Sequence, residues 1–263
     1  MKAECLASSS SGNCFILEFN VNGEPTRIMV ECGISMTDIR TKLNAKGIMI
    51  SSIAACLITH AHSDHSVSAK KILESGIPVY ASYPTIKLLE LKGGRSLAIL
   101  KPNKIAPGIY VMPFEVEHDC EGSVGFIIKT ESETVIFVND HKRWSVNLIN
   151  IKPDYVFIEC NYDHVMVYAQ YHELQKIKKT EALSQEEEKE VNIKLEQHER
   201  NINSHCSLAG TIRGLQKLNL DKCKAIFLMH LSDRYANEYK MKNEIQNRFL
   251  IRTYVCKKNS GIK

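Results

Sequence analysis

The strongest signal in the sequence is the stretch Thr59-His60-Ala61-His62-Ser63-Asp64-His65, which directly follows the apolar run of residues 53–58. Such a run is typical of a strand that is covered on both faces. The stretch supplies imidazole nitrogens and carboxylate oxygens, which zinc, manganese and iron accept as ligands. His60 and His62 can point at one ion, and the next pair can turn toward a second ion. The alternative, a polar loop that is rich in histidine by chance, does not explain the order of the ligands or their place at a strand end.

Composition indicates an ordinary globular protein. The chain has 263 residues, of which 44% are apolar and 24% charged, so it can bury a core of normal size. Its net charge of +4 is compatible with a phosphate-bearing substrate but falls short of the basic stripe of a dedicated nucleic-acid binder. We find no internal repeat or linker and predict a single domain over residues 1–263.

The cysteines and the lengths of the apolar runs indicate where in the cell the protein is expected. Nine cysteines are scattered as singletons without a C-x-x-C pair, which argues against a zinc finger or a thioredoxin-like site. The N-terminal residues lack the apolar stretch of a signal peptide, and no run approaches the roughly 18 apolar residues of a membrane span. Free thiols without an export signal predict a cytoplasmic protein with no membrane partner.

The hydrophobic pattern predicts two packed sheets flanked by helices. A hairpin is expected across Asn22-Gly23-Glu24-Pro25, between strands at 14–19 and 27–31. Further strands are expected at 53–59, 78–81, 108–117, 125–130, 134–139, 155–159 and 225–229, with helices at 37–46, 68–75, 207–218 and 236–249. Residues 173–200 are rich in Glu, Lys and Gln without Pro or Gly, which predicts one long or two shorter solvated helices. The tail, residues 257–263, is expected to fray.

The motif His60-x-His62-x-Asp64-His65 resembles the signature of the metallo-β-lactamase superfamily. The resemblance implies an α/β fold, a four-layer α-β-β-α sandwich with the metal centre at the shared edge of its sheets, here with a helical insertion at about 165–202. It also implies three later ligands at strand ends, for which His118, Asp140 and His230 are the candidates. By this resemblance the first ion is held by His60, His62 and His118, and the second by Asp64, His65 and His230, with Asp140 bridging.

Other segments resemble the single-domain bacterial and phage nucleases and phosphodiesterases of this superfamily. They are the small-residue loop Leu6-Ala7-Ser8-Ser9-Ser10-Ser11-Gly12-Asn13, the motif Glu159-Cys160-Asn161-Tyr162-Asp163, and the segment Asn203-Ser204-His205-Cys206-Ser207-Leu208. In such a site, Asp140 or Asp64 would orient a water between the two ions, and His205 would protonate the leaving group or hydrogen-bond the phosphoryl oxygen. Substrate contacts are expected from Ser9, Ser10, Asn13, Asn161 and His205. The alternatives are that the serines and Asn13 only shape a turn and that His205 only begins the next helix.

Two positions depart from the family pattern. Glu31-Cys32-Gly33 stands where relatives have an aspartate, which usually supports the metal ligands. His141-Lys142-Arg143 follows Asp140 where relatives have small residues. We expect these basic residues either to alter substrate contacts or to form a solvated loop.

The sequence therefore predicts a hydrolase with two divalent transition-metal ions, Zn²⁺ or alternatively Mn²⁺, that cuts phosphodiester bonds. Its substrate is expected to be a nucleic acid cut from an end, or a small or cyclic nucleotide such as those of antiphage signalling. A thiolester or lactone hydrolase and a metal-bearing protein that sequesters a nucleotide remain as alternatives. The insertion is expected to form a lid over the pocket or the contact of a homodimer.

Overall fold

The computed structural model describes residues 1–180, 182–257 and 261–262, and two sheets dominate this part of the chain. The first sheet has the strand order β1 (Lys2–Ser9), β2 (Gly12–Val21), β3 (Glu24–Val30), β4 (Ile53–Leu57), β5 (Val79–Ala81) and β6 (Arg95–Ser96). The second has the order β13 (Thr253–Val255), β12 (Ala225–Met229), β11 (Tyr155–Glu159), β10 (Thr134–Val138), β9 (Val124–Lys129), β8 (Ile109–Glu115) and β7 (Asn103–Ala106). The helices are α1 (Met36–Ala45), α2 (Ser63–Ser66), α3 (Ala69–Glu74), α4 (Tyr83–Leu88), α5 (His164–Thr180), α6 (Gln185–Ser204), α7 (Leu208–Leu215) and α8 (Glu238–Phe249).

Alternation along the strands divides the apolar side chains into three layers. On β2, Phe15 faces the core between the sheets, whereas its neighbour Ile16 packs with Ile39 of α1 on the outside. On β10, Phe137 faces the same central core, while Ile136 packs in the layer that contains α7 and α8. Helices therefore cover the outer face of each sheet, which confirms the predicted four-layer α-β-β-α sandwich.

Three parallel strands of the second sheet are aligned by an aromatic ladder. Phe137 of β10 pairs in register with Phe157 of β11, which pairs with Phe227 of β12. The rings of Phe157 and Phe227 are stacked with centroids 4.2 Å apart, and those of Phe137 and Phe157 lie 5.7 Å apart. Because this register is fixed, the carboxyl ends of the three strands meet at one edge.

The hairpin between β2 and β3 confirms the prediction made from its turn residues. Val21 pairs with Glu24, so only Asn22 and Gly23 form the connection. Both have positive φ, 53° and 89°. A two-residue turn of this kind matches the twist of the flanking strands and favours asparagine followed by glycine.

The predicted helical insertion consists of the two helices α5 and α6, which pack against each other. A capping box starts α6. The Ser184 hydroxyl accepts from the backbone N–H of Glu187, and the Glu187 carboxylate accepts from the backbone N–H of Ser184. Tyr171 of α5 donates a 2.6 Å hydrogen bond to Glu199 of α6. On α6 one face buries Val191, Leu195 and His198, whereas Val165, Tyr168 and Ile193 of the hairpin remain exposed.

Some boundaries differ from the predictions. The segment 6–13, expected as a loop, belongs mostly to β1 and β2, and only Ser10 and Ser11 form the turn between them. The short elements α4, β6, β7 and β13 were not predicted, because two to six residues carry too little periodicity. In the tail, Gly261 donates a hydrogen bond to the Cys5 carbonyl, so this part is not frayed, whereas residues 258–260 and 263 lie outside the described residues. Within the described ranges, no helix is both long and apolar enough to cross a membrane.

Candidate metal centre

Three imidazoles, here called the first ligand group, converge at the edge between the sheets. His60 and His62 follow β4, and His118 follows β8 of the other sheet. His62 Nδ1 lies 3.1 Å from His60 Nε2 and 3.3 Å from His118 Nε2. The outer nitrogens are fixed, since His118 Nδ1 donates to the Ser204 carbonyl (2.8 Å) and His60 Nδ1 lies 2.9 Å from the Thr59 hydroxyl. The three inner nitrogens are thus aimed at one point, as metal-binding histidines are.

The second ligand group lies beside the first and contains Asp64, His65, Asp140 and His230. His65 Nε2 is 3.4 Å from Asp64 Oδ2 and 3.3 Å from Asp140 Oδ2. His230 Nε2 is 3.6 Å from Asp64 Oδ2. Asp140 Oδ2 also lies 3.9 Å from His118 Nε2, so this carboxylate stands between the two groups. The structure thus brings together all seven predicted ligands.

The residues of the second group fit a bound cation. Asp140 Oδ1 and His230 Nε2 are buried and have no hydrogen-bond partner among the described residues. An unpartnered buried carboxylate oxygen is costly, and a divalent cation would satisfy it. Burial lowers the pKa of His230, but the Asp140 and Asp64 carboxylates outweigh burial and raise it to about 10. A bound metal ion would supply positive charge beside these carboxylates, in place of the proton that they otherwise stabilise on His230.

Two histidines of the first group, His60 and His62, favour the neutral state that metal binding needs. Burial, followed by the nearby His65, holds the pKa of His60 well below its ordinary value. Burial and the neighbouring His118 lower the pKa of His62 as well. Neutral rings keep a lone pair for a metal, and nitrogen with carboxylate oxygen is a donor set that suits zinc or manganese.

Glu31 supports one ligand in each group. Its buried carboxylate accepts a 2.5 Å hydrogen bond from the Thr59 hydroxyl, which in turn contacts His60 Nδ1. The same carboxylate oxygen lies 3.3 Å from His65 Nδ1. The structure thus puts the longer acid where the resemblance implied a supporting aspartate. Carboxylates in such positions fix ring orientation and raise ligand basicity.

The backbone is strained at three strand ends that carry the site. Glu31, Asp140 and His230 have φ of 62°, 38° and 54°, in the left-handed region that residues other than glycine rarely adopt. Each such residue costs about 1–3 kcal/mol, and strain of this kind concentrates at functional sites. No feature of the sequence signals it.

Gly33 is expected to be indispensable for the second ligand group. A Cβ at this position would collide with the backbone carbonyl of Asp64. Gly33→Ala should therefore cost about 1–3 kcal/mol through overpacking and displace the turn that carries Asp64 and His65. Metal analysis should find the second ion lost or weakened, and chemical denaturation should find lower stability.

Gly23→Ala is the matched control for that variant. Gly23 has φ of +89° and no atom within 4 Å of an added Cβ, so alanine there costs about 1–2 kcal/mol through backbone strain alone. We expect it to keep both ions. Full metal content in Gly33→Ala would show that the close contact does not position the ligands.

The buried Glu159 and the half-buried His205 form a pair that borders the second group. His205 Nδ1 donates to Glu159 Oε1 at 2.7 Å and lies 3.8 Å from Asp140 Oδ2. Burial alone would raise the pKa of the Glu159 carboxyl, but the His205 imidazolium outweighs burial and holds that pKa at about 2. Against burial, the Glu159 and Asp140 carboxylates raise the pKa of His205. Glu159 was quoted in a motif without a role, and its place at the end of β11 was the signal that could have found it.

The predicted substrate contacts separate into buried and pocket residues. Asn13 is buried, and its amide donates to the carbonyls of Ser9 (3.0 Å) and Asp64 (3.2 Å). The Asn161 amide donates to the His230 carbonyl at 2.8 Å. Ser9 is buried against Ser11, whereas Ser10 is exposed at the pocket. Of these four residues, the structure brings only Ser10 to the pocket.

The basic residues that follow Asp140 turn away from that carboxylate. His141 is buried, with its ring 5.2 Å from that of Trp144. Arg143 pairs with Glu117 at 2.5 Å. The Lys142 Nζ donates to the side-chain oxygen of Asn203 at 3.3 Å.

A pocket of about 340 Å³ opens onto both ligand groups. The insertion helix α6 and the loop after His230 provide its walls. Its lining residues are Ser10, His62, Asp64, His118, Asp140, Gln197, Arg200, Asn201, His205, His230, Ser232, Arg234 and Tyr235. His198 of α6 packs against Tyr235 with ring centroids 5.0 Å apart, which joins the two walls. The insertion therefore borders the site, as expected.

The family described as the β-lactamase superfamily domain matches residues 26–230. This range contains all seven ligands, the first sheet from β3 to β6 apart from the first two residues of β3, and the second sheet except β13. The chain belongs to this family, and its fold and site are those of a metal-dependent hydrolase.

Among individual proteins, the chain is similar to nucleases. It is 27% identical to the exodeoxyribonuclease WalJ of Streptococcus pneumoniae over 179 residues, which cover 62% of this chain and 63% of that protein. It is 30% identical to ribonuclease J of Sinorhizobium meliloti over 141 residues, which cover 46% of this chain and 24% of that protein. The aligned parts are thus less than two thirds of either relative. The crystal structure of YhfI from Bacillus subtilis, a metallo-β-lactamase fold protein, matches with a TM-score of 0.68 at 12% identity, covering 99% of this chain and 98% of that one, a likeness in fold alone.

Proposed function

We propose that this protein is a two-metal phosphodiesterase that cuts nucleic acid from an end. The observation that carries the proposal is the Asp140 carboxylate, which lies between two adjoining groups of candidate ligands at 3.3 Å and 3.9 Å from a histidine of each. Two bound cations would stabilise hydroxide and the charge that develops on phosphate oxygens. Sites of this geometry suit in-line displacement at phosphorus.

Side chains of the protein position the attacking water, assist the leaving group and contact the substrate. Asp64 and Asp140 orient the attacking water through their carboxylates. His205 has its Nδ1 on Glu159, which leaves Nε2 to donate a proton to the departing oxygen or a hydrogen bond to the phosphoryl oxygen. Ser10 contacts the substrate directly. Ser9, Asn13 and Asn161 contribute by holding the turns around the ligands, because the Ser9 hydroxyl and the two side-chain N–H groups bond within the protein.

Nucleic acid is favoured as the substrate because both curated relatives are named as nucleases. A small or cyclic nucleotide, a thiolester or lactone, and sequestration of a nucleotide without turnover are the competing outcomes. The nine cysteines are all free, which supports a reducing, cytoplasmic location. A homodimer through the α5–α6 hairpin is supported only by the exposed Val165, Tyr168 and Ile193.

The test compares substrates with metal-loaded protein. Bis(p-nitrophenyl) phosphate, end-labelled DNA and RNA, a cyclic mononucleotide and a thiolester are assayed at equal enzyme concentration. We expect hydrolysis of the phosphodiesters with label released from one end. Asp140→Ala, purified in parallel, controls for contaminating nucleases and should be inactive. Turnover of the thiolester alone, or tight nucleotide binding without turnover, would contradict the proposal.

A further inference from the structure

Two arginines from different elements line the pocket beside the ligand groups. Arg200 lies near the carboxyl end of α6, and Arg234 follows His230 by four residues. Apart from histidines, they are the cationic side chains of the pocket lining. The carboxylates there are Asp64 and Asp140, whose charge two bound cations would neutralise. The remaining lining therefore favours an anion.

Both arginines have donors to spare. The only ion pair of Arg200 within the described ranges joins its Nε to Asp119 Oδ2 at 3.5 Å, with the Arg200 side chain 72% exposed. Exposed pairs of this kind are weak and exchange readily for a better partner. Arg234 is exposed and forms no ion pair with any residue that the structure describes. A guanidinium presents five N–H donors in a fork that matches phosphate oxygens.

The ion pair also shows how near Arg200 lies to the first ligand group. The other oxygen of Asp119 lies 3.1 Å from His118 Nε2, so one carboxylate separates the guanidinium from the first ligand group. A phosphate on Arg200 would therefore lie beside the metal centre and not on it. The metal centre is left to the scissile phosphate.

The neighbouring residue provides a second, independent indication. Asn201 lines the same pocket, and its Nδ2 is buried without a hydrogen-bond partner among the described residues. An unsatisfied buried donor is unfavourable, and rotation of the Asn201 side chain toward the pocket would let a phosphate oxygen accept from it. Ser232 adds a hydroxyl to the same lining.

We propose that Arg200, Asn201 and Arg234 bind a second phosphate of the substrate, adjacent to the one that is cut. The inference rests on the proposed function and sharpens it, because a substrate that uses both subsites has at least two consecutive phosphates. A polynucleotide end meets this requirement, and a cyclic mononucleotide does not. The insertion helix α6 therefore selects the substrate through Arg200 and Asn201.

The test uses metal-loaded full-length protein with Arg200→Ala, Arg234→Ala and the double variant. On a short oligonucleotide, each single variant should raise KM about 10-fold and the double variant about 100-fold, because each arginine contributes charge-assisted hydrogen bonds. Turnover at saturation should change little. On bis(p-nitrophenyl) phosphate, which has one phosphate, all variants should show the same KM and turnover as the unsubstituted protein. Arg200→Lys should restore part of the loss.

Arg213→Ala is the matched control, because Arg213 is an exposed helical arginine outside the pocket lining. It should leave both substrates unaffected. Equal losses on both substrates would show that the arginines act on the metal centre or on stability, and no loss on the oligonucleotide would show that no second subsite exists. Either result overturns the inference.

A binding measurement separates this inference from the proposed function. A nuclease-resistant phosphorothioate oligonucleotide is titrated into the metal-loaded protein, with a single-phosphate nucleotide as comparison. If the protein proves inactive as a phosphodiesterase, arginine-dependent preference for the oligonucleotide would still support the subsite. Equal affinity of the double variant and the original protein would overturn it.

Discussion

Asp64→Ala is expected to leave one tightly held metal ion instead of two and to abolish hydrolysis. Asp64 is the most exposed member of the second ligand group, with 21% of its side chain accessible, so its truncation should disturb folding least. Without it, the second cation would lose a charged ligand that lies near both His65 and His230. Because two-metal sites contribute several kcal/mol to transition-state stabilisation, activity should fall by about 10³-fold or more. Metal analysis with kinetics on the same preparation checks both effects.

Asp119→Asn provides the matched control. Asp119 lies 3.1 Å from His118 Nε2, yet it belongs to neither ligand group. The isosteric amide should keep both ions. If Asp64→Ala also retained two ions, the assignment of the second group would be wrong. His65→Ala, which removes a fully buried ligand, should repeat the loss of one ion.

His205→Ala is expected to retain both ions and a normal fold, yet to lose about 10²- to 10⁴-fold in turnover on a phosphodiester with a poor leaving group. The fold should tolerate the change because Glu159 keeps two backbone donors, the N–H groups of His141 (2.7 Å) and Cys206 (3.1 Å). Turnover should fall because His205 is the side chain proposed to protonate the departing oxygen.

The leaving group provides the sharper comparison. Nitrophenolate departs without protonation, so bis(p-nitrophenyl) phosphate should mask part of the loss that an unactivated diester reveals. His172→Ala, at an exposed position on α5, serves as the control. An unchanged rate on the poor leaving group would assign His205 a purely structural role.

Two packed sheets with flanking helices and the histidine-rich stretch after residue 58 could be predicted from local patterns of the sequence. The candidates His118, Asp140 and His230 came instead from the resemblance to the superfamily, which implies ligands at later strand ends. The pairing of Glu159 with His205, and that of Arg200 with Arg234 in one pocket, had no such local signal. Their members are 46 and 34 positions apart and come together only through strand register and helix packing.

The predicted substrate contacts of Asn13 and Asn161 show a further limit of sequence motifs, which do not fix the direction of a side chain. A motif indicates that an amide is near the site, but it does not indicate whether the amide faces solvent or the backbone. Here both amides bond to carbonyls of ligand-bearing turns, Asp64 and His230. The direction of a side chain is decided by packing that the motif does not contain.

The ligand groups draw on both sheets, since His60, His62, Asp64 and His65 follow β4 whereas His118, Asp140 and His230 follow strands of the other sheet. Metal ions held there would connect the two sheets of the sandwich. Any ligand that binds only the folded state adds stability that grows with its free concentration. Cellular proteases act on the unfolded fraction, so the abundance of this protein would follow metal supply. In a metal-starved cell, the enzyme would be degraded as well as inactive.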